Sequence, residues 1–461
     1  MLIHAPLANL IPRLNLPPHL SYLLLYTLCV LPILFLVAFE LTSRRSAARQ
    51  PRGCKKLGLR NFSNLDDEFE YGTDGTRKTQ KKTKDQDGGK SRIKALMVYP
   101  IKSCAGVEFN IANVVGTGMM FDRQFTFAEY IADPPAAQAG AEPGTQPAGR
   151  WVTRTLRDGK YSRMTLIKPE IWVPDPSSPT YYPTAPEVLS NGVLVIKYPR
   201  PATTTSSLTK LLMALNLTPR EESFSVPLFP PPNHTYPLTP LRIWRDTPAA
   251  LDYSSHLPAS LKQFLGINKP LALFRVDPSH LRTVMRCAPR KDVLGFQPVT
   301  GFADAYPLHI LGLASVRDIN ERVGEAIPHL SVRRFRANII FEGAGKYVED
   351  DWKRVKLFPG KASRRRREGN EEEEEDEDEG VELFAACRTV RCRLPNVDPL
   401  TGVRHPAEPD KTLKSFRCID GGDPNNACLG MQVVPSVQEF TIQVGDEIQV
   451  LETGKHFYIK Q

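Results

Sequence analysis

Cysteine is scarce in this chain, eight in 461 residues at irregular spacings. That excludes the dense disulfide framework of a small secreted domain and points to a reducing compartment. Histidine is also sparse, nine scattered along the chain, so a His-rich metal site is not expected. No G-x-x-x-x-G-K-[ST] cradle occurs, and Gly116-Thr117-Gly118 lacks the third glycine and the following helix of a dinucleotide fingerprint. Without a G-x-S-x-G elbow or an H-E-x-x-H pair, serine hydrolase and zincin chemistries have no support. Hydrophobic residues make up 41% and charged residues 24%, which excludes a wholly disordered or fibrous chain. The net charge of +9 favours acidic partners or a membrane surface, and is too diffuse to indicate nucleic acid.

What is present begins with YLLLYTLCVLPILFLVAF, residues 22–39, eighteen positions without a charge. At 1.5 Å per residue such a run nearly crosses a ~30 Å hydrocarbon layer, so it reads as a transmembrane helix with a cleaved signal peptide as the rival. Basic residues are denser after it than before it, which places the C-terminal part in the cytosol. Residues 60–90 turn polar and read as a tether. ALMVYPI (95–101) and GVLVIKY (192–198, after an Asn191-Gly192 turn) read as strands. The stretches 133–149, 174–186 and 227–240 are Pro-rich loops. Helices are expected at 206–217 and at 315–323, the latter with a Ser315/Asp318 cap and a stop at Gly324. The run RRRRE and the nine acids 371–379 cannot bury apolar surface, so 361–379 reads as a disordered insertion. FTIQVGDEIQVL alternates about Gly445-Asp446 and predicts a closing hairpin.

Chemistry is left to cysteine and basic residues. Cys387 and Cys392 lie in CRTVRC beside Arg388 and Arg391, whose charge favours a thiolate. Cys392 is thus a candidate soft-metal ligand or nucleophile, with two inert buried thiols as the plainer reading. Lys102-Ser103, in YPIKSC, can present an ammonium, a hydroxyl and backbone N–H groups to a phosphate, or Lys102 can be an ordinary surface lysine. Arg123, in FDRQF, and Arg336, in RRFRANII, place guanidiniums beside apolar strands. The anionic partner of Arg336 is either a ligand or a structural carboxylate such as Asp304 or Asp350.

Taken in order, YPIKSC, FDRQF, FADAYPLHILGLASVRDIN, RFRANIIFEG, EDDW, RCRLPNVDPLTG, KTLKSFR and VGDEI resemble proteins with a MOSC domain preceded by an N-terminal β-barrel partner. Within that family the likeness is to the amidoxime-reducing molybdenum enzymes, over roughly residues 92–455. No aminotransferase-like domain is expected ahead of it, so the chain is unlike a full molybdenum cofactor sulfurase. The resemblance implies a mainly β (α+β) fold. It has an N-terminal segment 1–45 with one transmembrane helix at 22–39, a basic linker 46–91, an N-terminal β-barrel domain 92–250, and a MOSC domain 251–455 interrupted near 361–380.

It further implies the molybdenum cofactor, a molybdopterin whose metal Cys392 would bind. Lys102, Ser103, Arg123 and Arg336 would hold the cofactor, with contacts at Ala305, Tyr306, Val390 and Arg391. Gln432, where a tyrosine is frequent in the family, is counted with this set. The C-x₄-C spacing leaves the role of Cys387 open. The implied reaction is reduction of N-hydroxylated compounds, with electrons from a b-type cytochrome and its NADH-dependent reductase, on the mitochondrial outer membrane or the endoplasmic reticulum. A sulfur carrier using a persulfide on Cys392 is the alternative.

Overall fold

The computed structural model describes residues 17–47, 50–78, 90–133, 149–201, 206–215, 218–360 and 380–460. The expected insertion at 134–148, the lysines of 79–89 and the acidic run 361–379 lie outside the described residues. Two compact units result, Met1–Pro51 with Thr204–Arg220, and Arg52–Thr203 with Glu221–Gln461.

The first unit contains helices α1 (Pro18–Ala47) and α2 (Ser207–Ala214). Ser206 caps α2 by accepting the amide of Thr209 at 3.1 Å. The expected transmembrane anchor is not borne out: among the described residues no helix is long and apolar enough to cross a membrane. The single-pass placement on an outer mitochondrial or endoplasmic reticulum membrane falls with it.

The second unit is mainly β. Eight strands form its largest sheet: β1 (Ser91–Val98), β2 (Val107–Phe109), β3 (Leu308–Gly312), β4 (Ile339–Glu342), β5 (Trp352–Phe358), β6 (Val381–Val390), β7 (Cys428–Pro435) and β8 (Glu447–Thr453). Their order is β4-β3-β7-β6-β5-β8-β1-β2, and an antiparallel β4–β1 pairing closes the sheet on itself. A second, closed barrel joins Leu238–Arg242, Ala249–Asp252, Leu271–Val276, Phe125–Ala132 and Gly149–Thr153. A four-stranded sheet of Cys54–Lys56, Lys168–Pro174, Val193–Pro199 and Glu221–Pro227 completes the unit's main β structure.

β1 explains where the site sits. A register shift opposite Ile340 and Phe341 leaves Lys94 as an extra residue. From there Leu96 and Val98 pack into the sheet's interior cluster. Ala95, Met97 and Tyr99 face the other way, onto a second cluster that includes Val316 and Ile319 of helix α3 (Leu313–Val323), with Phe335. With both faces covered, β1 reads as a nearly continuous apolar run.

Three expectations change. Residues 60–78 are not a free tether: Leu65 and Tyr71 are buried, and the buried Glu68 carboxylate accepts the amide of Val332 at 2.8 Å and faces Arg317 at 3.5 Å. FTIQVGDEIQVL is not a hairpin, because Phe440–Gln443 pairs with Ile111–Val115 whereas β8 pairs with β5. Alternation and a turn specify two strands but not their partners. Helix α3 starts at Leu313 without a side-chain cap. Ser315 instead donates to Glu349 at 2.8 Å, and Asp318 accepts from Arg322 at 2.6 Å.

Glu349 is fully buried, and desolvation followed by the charge of Asp350 raises its pKa to about 7. Because the folded value lies above the ordinary one, the native state holds this proton more tightly. The resulting stability, of order 3 kcal/mol, is complete below about pH 4.5 and is lost as pH rises through about 7. A Glu349→Gln variant should therefore flatten the fall in thermal midpoint between about pH 5 and pH 8, measured by calorimetry; an unchanged slope would contradict this assignment. Truncating Glu68 to Ala should cost about 3–5 kcal/mol in denaturant unfolding by leaving Arg317 buried without its carboxylate.

Candidate functional site

The closure of the large sheet gathers residues more than 200 positions apart around Tyr99, which is buried at the end of β1. Arg336 lies over its ring at 4.1 Å and Arg123 at 4.7 Å. Asp122 accepts the Tyr99 amide at 2.8 Å and pairs with Arg123. Asn338 ties the group to the sheet: its side-chain oxygen accepts from Arg123 at 3.1 Å and from the His309 amide at 3.2 Å, and its Nδ2 donates to Met97 at 3.1 Å. Arg123 also reaches the carbonyl of Arg336 at 3.0 Å.

Lys102 is buried, donates to the Phe302 carbonyl at 2.8 Å and pairs with Asp304. Burial lowers its pKa against the pull of Asp304, while the Asp304 carboxyl is held low because Lys102, Arg123 and Arg157 together outweigh its desolvation. The Ser103 hydroxyl accepts the amide of Leu156 at 3.2 Å, and the Leu156 carbonyl accepts from Arg404. Arg404 and Arg391 are close enough to the half-buried Cys392 for its charge to act on them. One network thus runs from the YPIKS turn to the late cysteine.

Charge is unevenly compensated across this network. Lys102 and Arg123 each have a carboxylate. Arg336 and Arg391 have none among the described residues, and the carboxylates suggested from sequence are engaged elsewhere, Asp304 with Lys102 and Asp350 with Arg417. Arg336 donates one bond to the Cys104 carbonyl at 2.7 Å, and Arg391 one to the Phe335 carbonyl at 2.8 Å. Burial pulls the pKa of each down to about 10. Arg336 Nη2, Arg391 Nε, the Tyr99 hydroxyl and His309 Nε2 are buried without a hydrogen-bond partner. Buried donors are nearly always satisfied, so such a group of orphans marks the place of a missing acceptor.

Backbone conformation agrees. Ser103, Arg123 and Arg336 have positive φ, at 69°, 47° and 56°. Arg336 ends a 3-10 turn in the left-handed position where glycine is usual. Each such residue costs of order 1–3 kcal/mol and persists where the surrounding structure over-determines it.

Lys102, Ser103, Arg123, Arg336, Arg391 and Cys392 are therefore brought together. Ala305 and Tyr306 follow Asp304 in the chain but pack in a different cluster with Val284, Cys387 and Val434. Val390 ends β6 opposite Cys428, and Gln432 on β7 donates to Thr389 at 3.2 Å. Tyr99, Asp122, Asp304, Asn338, His309 and Arg404 were not picked out as site residues from sequence. Only Asp122, beside Arg123, and Tyr99, beside the YPIKS turn, carried a local signal, since the others act through contacts made by the closed sheet.

Residues 297–449 match the MOSC domain and residues 90–133 the MOSC N-terminal beta barrel domain. Both family models thus match parts of this chain. Its relatives include the mitochondrial amidoxime-reducing component 1 of Mus musculus, 30% identical over 35% of this chain and 41% of that protein. That of Danio rerio is 27% identical over 43% and 50%, and that of Homo sapiens 30% identical over 32% and 38%. The matched region spans half or less of each relative's length.

An uncompensated buried charge is destabilising, so Arg336→Met should raise the stability of the cofactor-free protein by roughly 1–3 kcal/mol. Denaturant midpoints test this; a loss of stability would show that Arg336 is already satisfied.

Proposed function

We propose that the chain is a molybdenum cofactor-dependent oxidoreductase that reduces N-hydroxylated compounds, with electrons delivered by an external b-type cytochrome and its NADH-dependent reductase. The observation that carries this reading is the half-buried Arg336 and the buried Arg391, neither ion-paired with a carboxylate among the described residues, with orphaned donors near the half-buried Cys392. The residues present fit the group: a phosphate carries about −1.5 to −2 charges, which two unpaired arginines balance. Among the described residues no cluster of three or more His, Cys, Asp or Glu could hold a metal, so a metal here takes Cys392 as its protein ligand and its other donors from the cofactor.

When bound, the cofactor supplies two-electron reduction of the N–O bond. The chain's part is to hold and orient. Arg336 and Arg391 take the phosphate, charge-assisted and already desolvated. Asp304 and Asp122 fix Lys102 and Arg123 as the flanks of the site. Ser103, through Leu156 and Arg404, sets the turn opposite Cys392. The chain has no nicotinamide fingerprint, and its net charge of +9 suits weak docking of an acidic electron carrier.

Cys392→Ala should abolish benzamidoxime reduction and strip molybdenum, while Gln432→Ala should leave the metal in place. Elemental analysis of the purified proteins checks both. Full metal and retained turnover in Cys392→Ala would remove the assignment, and a persulfide on Cys392 without metal would favour the sulfur-carrier alternative.

A further inference from the structure

Away from the arginine site, two free thiols meet. Cys287 is partly exposed, and its sulfur accepts the amide of Ile459 at 3.4 Å and faces the Phe457 carbonyl at 3.7 Å. It packs on a buried apolar floor formed by Val284, Tyr306, Cys387 and Val434. The Cys387 thiol, fully buried on β6, lies with Tyr306 in the cluster against which Cys287 packs, and the two thiols shift each other's acidity. Cys287 is partly exposed to solvent, whereas Cys387 is not. Their proximity separates their acidities: the Cys387 thiol lowers Cys287 to about 6 against its burial, with help from the Ile459 amide, and Cys387 itself is driven well up. A thiolate stabilised by donors and backed by a protonated thiol is the arrangement of an attacking and a resolving cysteine.

We propose that Cys287 and Cys387 form a peroxide-reactive dithiol, with Cys287 attacking and Cys387 resolving. The Cys287 thiolate attacks one oxygen of a hydroperoxide; the O–O bond breaks, the sulfur is oxidised by two electrons to a sulfenic acid, and the leaving oxygen takes a proton to become water or an alcohol. The Cys387 sulfur then attacks the sulfenic sulfur, the S–O bond breaks, and the thiol proton leaves with the hydroxyl as a second water. The product is a disulfide, which an external thiol reverses. β6 runs from Cys387 through Val390 directly into Arg391 and Cys392, so the bond would tie the Cys287 loop to the strand that feeds the arginine site. The inference does not require a bound cofactor.

The test is peroxide treatment of the purified full chain, trapping of remaining thiols by alkylation, and peptide mass mapping. A Cys287–Cys387 cross-link reversed by dithiothreitol is expected. So is alkylation of Cys287 on the order of tenfold faster at neutral pH than of Cys54, whose burial pushes its pKa up to about 11. Cys287→Ser should remove the cross-link with the fold intact, and Cys387→Ser should leave a sulfenic acid on Cys287 that dimedone captures. A wild-type protein that forms no such cross-link, or that links either sulfur to Cys392 instead, overturns the proposal even if Cys387→Ser fails to fold.

Discussion

The structure of the site depends on one constraint: two half-buried guanidiniums packed on a single buried tyrosine ring at the seam where β1 meets β4. Arg336 and Arg123 bracket Tyr99, and like charges at that spacing repel. Asp122 and Asn338 pair with Arg123, but among the described residues no carboxylate forms an ion pair with Arg336 or Arg391. The fold therefore stores an unfavourable charge at its closure point, held by the packing of β1 on both faces. That cost makes sense only when an anion completes the arrangement.

Backbone and electrostatics tell the same story independently. Three non-glycine residues in left-handed conformation lie in the same network as the orphaned donors, and none of them needs that conformation to continue a strand or helix. Glycine appears where the chain must approach closely: at Gly430, with φ of 75°, a side chain would strike the His309 ring at 2.6 Å. His309, buried and flanked by Arg391 and Arg123, stays neutral, its pKa lowered first by burial and then by those cations. An imidazole that cannot charge adds no further repulsion.

Part of the candidate site was legible because short sequence words such as YPIKSC and RCRLPNVDPLTG, at strand ends, carry several candidate residues at once. What was not legible is relational. That Asp304 serves Lys102, while Arg336 forms no ion pair with a carboxylate among the described residues, depends on contacts across about 200 residues that only the closed sheet creates. Cys387 could not be assigned from its spacing to Cys392, because its partner, Cys287, is a hundred residues upstream. Local pattern also misled. An uncharged run at 22–39 suggested a membrane span, yet among the described residues no helix is long and apolar enough to be one, and an alternating stretch at 440–451 feeds two different sheets.

The central claim is that Arg336 and Arg391 together hold an anionic pterin beside Cys392. The most direct measurement is the pterin released on oxidation from protein made in a cofactor-producing host, compared between the wild-type chain and an Arg336→Met/Arg391→Met variant. The account predicts about one pterin per wild-type chain and almost none in a folded double variant. Equal pterin in both, or none in the wild type, would contradict it.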